Sequence, residues 1–242
     1  DRIIAFFEER AQHNIAMIMP GSIGVSPEGR GLPTQLSLFD EKQVAGHKRL
    51  VDAIHSKGSL VAAQLYHAGR QASEAITGLD PLAPSAIPCG ILQNHPKEIT
   101  HEQMDRIKEQ FRQAARWSIE AGYDIVEVHF AHGYLLHSFM STHTNHRTDE
   151  YGGSFENRIK YPMDVLKTVI DEVNGEVPVQ IRVSVDEYVD DGMKFEEVKT
   201  VFGKSHTLMY RVCDRPHSFR QVDLGMPPQI PESLPKTDSE TL

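Results

Sequence analysis

The sequence predicts an α/β fold of parallel strands covered by helices, a βα barrel in preference to an open doubly wound sheet. Short apolar runs of strand character alternate with longer segments of helical spacing. The strand runs are apolar enough to be buried under crossover helices, as parallel strands are. No GxGxxG or GxxxxGK[ST] pattern follows any of them, which counts against the nucleotide-binding open sheets.

In chain order, a helical stretch around Ile3–Arg10 precedes a strand at Ile15–Met19. Asp40–Lys57 is helical, with Val44, Leu50, Val51 and Ile54 at helical spacing and Gly58 as its stop. Leu60–Leu65 reads as a buried strand. Ala68–Ile99 holds four prolines and no period, a long excursion of the kind that covers or serves a site. Thr100 and Gln103 form a capping box, followed by Met104, Ile107, Phe111, Ala114 and Ala115 on one face as far as Gly122. Asp124–His129 is the third strand. Beyond a polar loop, Met163, Leu166, Ile170 and Val173 mark a helix with Pro162 in its first turn, where a missing N–H is harmless. Val177–Val183 is the fourth strand, and a helix starts near Lys194. That makes four or five βα units, where a closed barrel needs eight. Lys204–Leu242 carries five of the 14 prolines without alternation or helical period. Residues 1–202 therefore read as a partial barrel and 203–242 as a divergent, irregular tail.

The 242 residues suffice for one or two domains, and 39% hydrophobic with 24% charged residues suits a globular chain. No apolar run approaches the ~18–20 residues of a membrane span, and no signal peptide opens the chain. A net charge of −9 without a basic stripe argues against nucleic acid and anionic membranes as partners. Two cysteines make no disulfide framework, and a cytoplasmic setting is the default. The chain opens on Asp1 in place of Met, which marks a processed chain or a fragment.

Polar residues interrupt three strand ends: Gln64 with His67 and Arg70, His129 with His132 and Tyr134, and Arg182 with Ser184. In βα barrels this rim carries the chemistry. A neutral imidazole pair, His129 and His132, donates two hydrogen bonds to one substrate oxygen. Tyr134 is an acid whose ordinary pKa near 10 suits protonating a carbanion-like centre. Arg182 supplies the fixed positive charge that an anionic cofactor ring requires, or a salt bridge to Asp186 or Glu187. His137, His143 and His146 crowd the same stretch, with Glu127 and Asp149 as acidic neighbours. Their spacing is not the helical HExxH of a zinc site, so no metal is assigned and these three histidines read as loop residues.

The string DIVEVHFAHGYLLHSFMSTHTNHRTDEYGGSFENR (Asp124–Arg158) resembles the Old Yellow Enzyme family of NADH:flavin oxidoreductases. AQLYHAGRQ (Ala63–Gln71), PLAPSAIP (Pro81–Pro88), EITHEQM and VQIRVSVDEY (Val179–Tyr188) support it, and the resemblance runs from residue 1 to about Val201. It implies an FMN-binding (β/α)8 TIM barrel in which NADH or NADPH reduces the flavin, which passes hydride to the β-carbon of an activated alkene. By matching motif, Gln64 would bond the pyrimidine edge of the flavin and Arg182 would face its N1–C2 carbonyl region. His129 and His132 would bind the substrate carbonyl, and Tyr134 would donate the proton. His132, where yeast-type members have asparagine, places the chain nearer the bacterial 2,4-dienoyl-CoA reductase-like branch. A small-molecule substrate and a homo-oligomer go with this reading. Asn145, Arg147, Asp149, Tyr151 and Asn157 read as braces of the loop.

Against the family pattern, the first barrel strand is missing before Asp1, and Thr142 replaces a proline. Phe202–Leu242 stands where three further strands and the phosphate site belong. The expectation is a chain that binds FMN weakly or not at all. The alternative reading is a catalytically inactive fragment that persists by oligomerising or pairing with another chain. A metal-dependent hydrolase built on the histidine cluster is the third reading.

Overall fold

A computed structural model of the chain describes residues 2–90, 92, 94–184, 186–203 and 209–213. Helix α1 (Arg2–Ala11) leads into two short strands, β1 (Met17–Ile18) and β2 (Ser22–Gly24). Helix α2 (Val44–His55) and strand β3 (Leu60–Tyr66) follow. The excursion after β3 holds a one-turn helix α3 (Glu74–Thr77) and a small parallel pair, β4 (Leu82–Ala83) and β5 (Lys97–Glu98). Then come α4 (His101–Glu120), β6 (Ile125–Phe130), α5 (Leu135–Met140), α6 (Phe155–Val173), β7 (Val179–Ser184), α7 (Phe195–Gly203) and β8 (Met209–Cys213). Among the described residues no helix is long and apolar enough to cross a membrane.

The main sheet runs β1–β3–β6–β7–β8, with β2 also on β3, and every pair is parallel. Spatial order follows chain order without reversal, so the sheet has no topological switch point. Right-handed crossovers in one direction put the helices on one face, which is how a βα barrel is wound.

Alternation sorts the strand residues between the two faces. Val61, Ala63, Leu65, Val126, Val128, Phe130, Val179, Ile181 and Val183 join one buried hydrophobic cluster with the helices. Helix α4 contributes Met104, Ile107, Phe111, Ala114 and Ala115 to it, behind the Thr100–Gln103 capping box. The opposite face carries Gln64, Glu127 and Gln180, which lie side by side in the register of β3, β6 and β7, with Ser22 of β2 opposite Gln64. Ser22 Oγ donates to Gln64 Oε1 (2.7 Å), and Gln64 Nε2 donates to Glu127 Oε1 (2.5 Å). Gln180 Nε2 donates to Glu127 Oε2 (2.6 Å). A fully buried carboxylate is thus bridged between two amides by charge-assisted bonds. The next residues on this face are Tyr66, His129 and Arg182, the last two directly in register.

Three sequence expectations change. The strand expected at Ile15–Met19 is only the two residues of β1, and pairing on β3 resumes at β2 beyond Pro20, which cannot donate to the ladder, and Gly21, which turns at φ +121°. Helix α6 begins at Phe155 rather than at Pro162, capped by Ser154 Oγ on Asn157 N–H, so Pro162 lies in its interior. Arg158, in the first turns of α6, ties this start to its surroundings, its guanidinium donating to Met140 O (2.7 Å), Gly153 O (2.7 Å) and Glu197 (2.6 Å). The tail read as irregular contains β8, in register with β7. Five residues are too few for periodicity to reveal. Residues 204–208 and 214–242 of that tail lie outside the described residues.

Two stability tests follow from this packing. Glu127→Gln offers one acceptor oxygen to two amide donors and sets an NH2 against an NH2. It is expected to cost about 1–3 kcal/mol in urea unfolding, and an unchanged midpoint would remove the carboxylate from this role. The second test concerns His67, buried with Nδ1 accepting Gly69 N–H (3.0 Å). Burial lowers its pKa to about 4, Glu28 opposing and Arg106 assisting. Between the unfolded value of about 6.5 and the folded one, the unfolded chain binds the extra proton. Stability from this group is therefore complete above pH ~6.5 and falls by about 1.4 kcal/mol per pH unit on acidification. Urea midpoints from neutral pH to about 4.5 should fall less steeply in His67→Asn, and parallel slopes would refute a neutral His67.

Candidate active site

The rim at the C-terminal strand ends brings together all five residues singled out from sequence. His129 ends β6 on the Gln64–Glu127 face, one residue pair above the buried bridge, with Arg182 of β7 in register beside it. Its ring lies 5.0 Å from the ring of His132 and 5.0 Å from that of Tyr134, both edge-on. His132 and Tyr134 rings are 6.2 Å apart. Gln64 lies deeper, 2% exposed, in the bridge to Glu127 and Ser22. The arrangement places two imidazoles and a phenol above an amide, with a guanidinium at the side.

Hydrogen bonding sets the protonation of these groups. His129 Nδ1 accepts Ala131 N–H (3.1 Å), which assigns the proton of the neutral ring to Nε2, a donor. Burial raises the Tyr134 pKa, partly offset by the charge of Arg182. The phenol is therefore protonated at neutral pH.

Tyr66 belongs to the same group of rings, 4.9 Å from Tyr134 and 6.3 Å from His129, and was missed in the sequence. Its hydroxyl donates to Gln35 Oε1 and accepts Gly31 N–H (3.1 Å), and burial pushes its pKa up to about 12. Strand alternation from Gln64 was the signal that would have found it. Gln180 and Gln71 were missed too, and only the register and the fold bring them in.

The stretch from Asn145 onward braces the loop. Asn145 Nδ2 donates to Phe139 O (2.7 Å) and Tyr151 O (2.7 Å), and Arg147 reaches Ile99 O (2.9 Å) and Asp149. Asp149 is held well below the carboxylate range by Arg147 first, despite partial burial, with His101 and Tyr151 N–H assisting. Gly152 passes so close to Arg147 O that a Cβ would overlap it. His143 pairs with Asp191 (2.9 Å) and His146 is exposed. His137, read as a loop residue, is instead buried inside α5. Six helical residues in a polar-looking loop are too short for the period to show.

Comparison with known proteins agrees with the fold. The model of the NADH:flavin oxidoreductase / NADH oxidase family matches residues 1–224, past about Val201, where the resemblance in the sequence motifs ends. An NADH oxidase of Thermoanaerobacter brockii is 39% identical over 202 residues, covering 83% of this chain and 31% of that protein. An NADPH dehydrogenase of Bacillus velezensis is 38% identical over 190 residues, covering 78% of this chain and 55% of the relative. The chain thus spans from 31% to 55% of the length of these curated relatives. Among solved structures, Old Yellow Enzyme from Pichia sp. AKU4542 superposes with a TM-score of 0.78 at 28% identity, over 88% of this chain and 62% of that one. A sheet wound in one direction and a family match through most of its length make this chain a partial βα barrel of the NADH:flavin oxidoreductase / NADH oxidase family.

Proposed function

We propose that the protein is an FMN-dependent NADH or NADPH oxidoreductase of the Old Yellow Enzyme type that reduces activated alkenes such as α,β-unsaturated carbonyls. The observation that carries this reading is the convergence of His129, His132 and Tyr134 within about one ring-stacking distance beside Arg182. The donor set fits a flavin edge. Gln64 offers both an amide N–H and a carbonyl, Ser22 a hydroxyl, and Arg182 a permanent positive charge for a ring that becomes anionic on reduction.

Bound FMN would take a hydride from NAD(P)H and deliver it to the β-carbon of the alkene. The residues of this chain do the rest. His129 Nε2–H, with a nitrogen of His132, donates to the substrate carbonyl oxygen and draws electron density from the double bond. This support of developing negative charge by oriented donors is where such sites gain most of their rate. Tyr134 holds the proton for the α-carbon, and burial keeps it on the oxygen until a carbanion-like centre forms. Arg182 stays positive throughout. Hydride at one carbon and the Tyr134 proton at the other complete the reduction, and solvent restores the phenol proton.

Two measurements test this reading on the full chain. FMN titration followed by flavin fluorescence should give an affinity that drops about tenfold in Arg182→Met, the loss expected of one charge-assisted contact. Equal affinity in parent and variant would place the flavin elsewhere. Tyr134→Phe should slow enone reduction by about 10²–10⁴-fold, the range of a general acid, while flavin reduction by NAD(P)H keeps its rate. Unchanged enone turnover would exclude Tyr134 as the proton donor. Absence of turnover in an FMN-loaded parent chain would favour the inactive-fragment reading.

A further inference from the structure

The His132–Gly133 turn has an unusual backbone. His132 sits at φ +62° and Gly133 at +72°, the left-handed region, which is costly for histidine by about 1–3 kcal/mol. All four backbone polar groups of the pair are taken by side chains. His132 N–H donates to Ser184 Oγ (3.1 Å), and His132 C=O accepts from Gln71 Nε2 (2.6 Å). Gly133 N–H donates to His137 Nδ1 (3.0 Å), and Gly133 C=O accepts from Ser138 Oγ (2.9 Å). Three of these four partners work in any protonation state. His137 works only with a bare Nδ1.

His137 is buried, and its Nε2 has no hydrogen-bond partner among the described residues. A buried donor left unpaired costs about 1–3 kcal/mol, so packing alone would favour an apolar side chain there. Two charged groups act on the ring from outside its helix, Glu187 with Oε1 3.8 Å from Nδ1, and Arg70 from the turn after β3. Glu187 is itself fixed by Met193 N–H (2.6 Å) and would capture a proton-bearing Nδ1 in place of Gly133. Burial lowers the His137 pKa, Glu187 opposing and Arg70 assisting, which favours the uncharged ring, and the Gly133 N–H against Nδ1 puts the proton of that ring on Nε2.

We propose that His137 is a positioning residue: its bare Nδ1 accepts the Gly133 amide, holds the His132–Gly133 turn left-handed, and so sets how His132 and Tyr134 face the substrate carbonyl. The part concerning the carbonyl rests on the function proposed above, whereas the Nδ1–Gly133 bond does not. Tyr134 depends on this anchor because it follows Gly133 directly and is the N-cap of α5, the helix that carries His137 and Ser138.

Nitrogen-15 NMR of the histidine rings in the full chain at neutral pH tests the bond. The expected result is His137 protonated at Nε2 alone, and a proton on Nδ1 would overturn the proposal. Amide exchange gives a second readout without any turnover. His137→Leu should speed Gly133 exchange about tenfold, the factor one lost hydrogen bond allows, while the β6 amides stay slow. His137→Asn, which sets a carbonyl oxygen near the place of Nδ1, should restore most of the protection. Gly133 exchange unchanged in the leucine variant, or no rescue by asparagine in a folded protein, would overturn it. In FMN-loaded protein His137→Leu should raise KM for an enone more than it lowers the rate of flavin reduction. An unchanged KM would remove the carbonyl-facing role, and a chain that takes no FMN would defeat the proposed function while leaving the exchange result intact.

Discussion

The carboxylate of Glu127, enclosed at the centre of the sheet, is the interaction on which the site depends. It accepts from Gln64 on one neighbouring strand and from Gln180 on the other, so one side chain ties β3, β6 and β7 into a single register. Register matters because side chains alternate between faces. A slip of one residue would send His129 and Arg182 into the helix layer and bring Val128 and Ile181 to the rim. Burying a charge is unfavourable unless it is fully bonded, and here two amide donors approach it within 2.5–2.6 Å. The same bond leaves the Gln64 carbonyl pointing to Ser22, so the orientation of the amide is set before any ligand arrives.

Above this level the site relies on backbone groups to orient imidazoles. His67, His129 and His137 each accept a main-chain N–H at Nδ1, from Gly69, Ala131 and Gly133. An amide is a donor only, so each contact selects the neutral ring with its proton on Nε2. At His129 that proton lies on the nitrogen not engaged by Ala131. At His137 the logic reverses: the bare nitrogen matters, and the proton-bearing one has no partner among the described residues. The long polar stretch that follows supplies rigidity, through Asn145, Arg147 and Arg158 satisfying carbonyls of neighbouring segments. Loops that carry function need such bracing because their own backbone lacks ladder partners.

Much of this was legible in the residues. The strand cores at Leu60–Leu65, Asp124–His129 and Val177–Val183, the α4 capping box and the five rim residues all follow from periodicity, cap chemistry and polar residues placed at strand ends. What failed did so for local reasons. The apolar run Ile15–Met19 keeps only the two ladder residues of β1, Ser154 caps a helix that begins at Phe155, eight residues before the apolar period opens at Met163, and α5 and β8 are shorter than any period can register. Glu127 was visible only as a stray acid among histidines, because its partners are about fifty to sixty residues away on either side.

By itself the sequence determined the parallel βα architecture and which side chains reach the rim, since both follow from spacing along one strand or helix. Only the tertiary structure decided what those side chains are bonded to. The bridge through Glu127, the ring group with Tyr66 and the clamp on His132 and Gly133 join residues that no local pattern relates. Register between distant strands is a property of the folded sheet, and the protonation of each buried histidine follows from the partner that folding places against it.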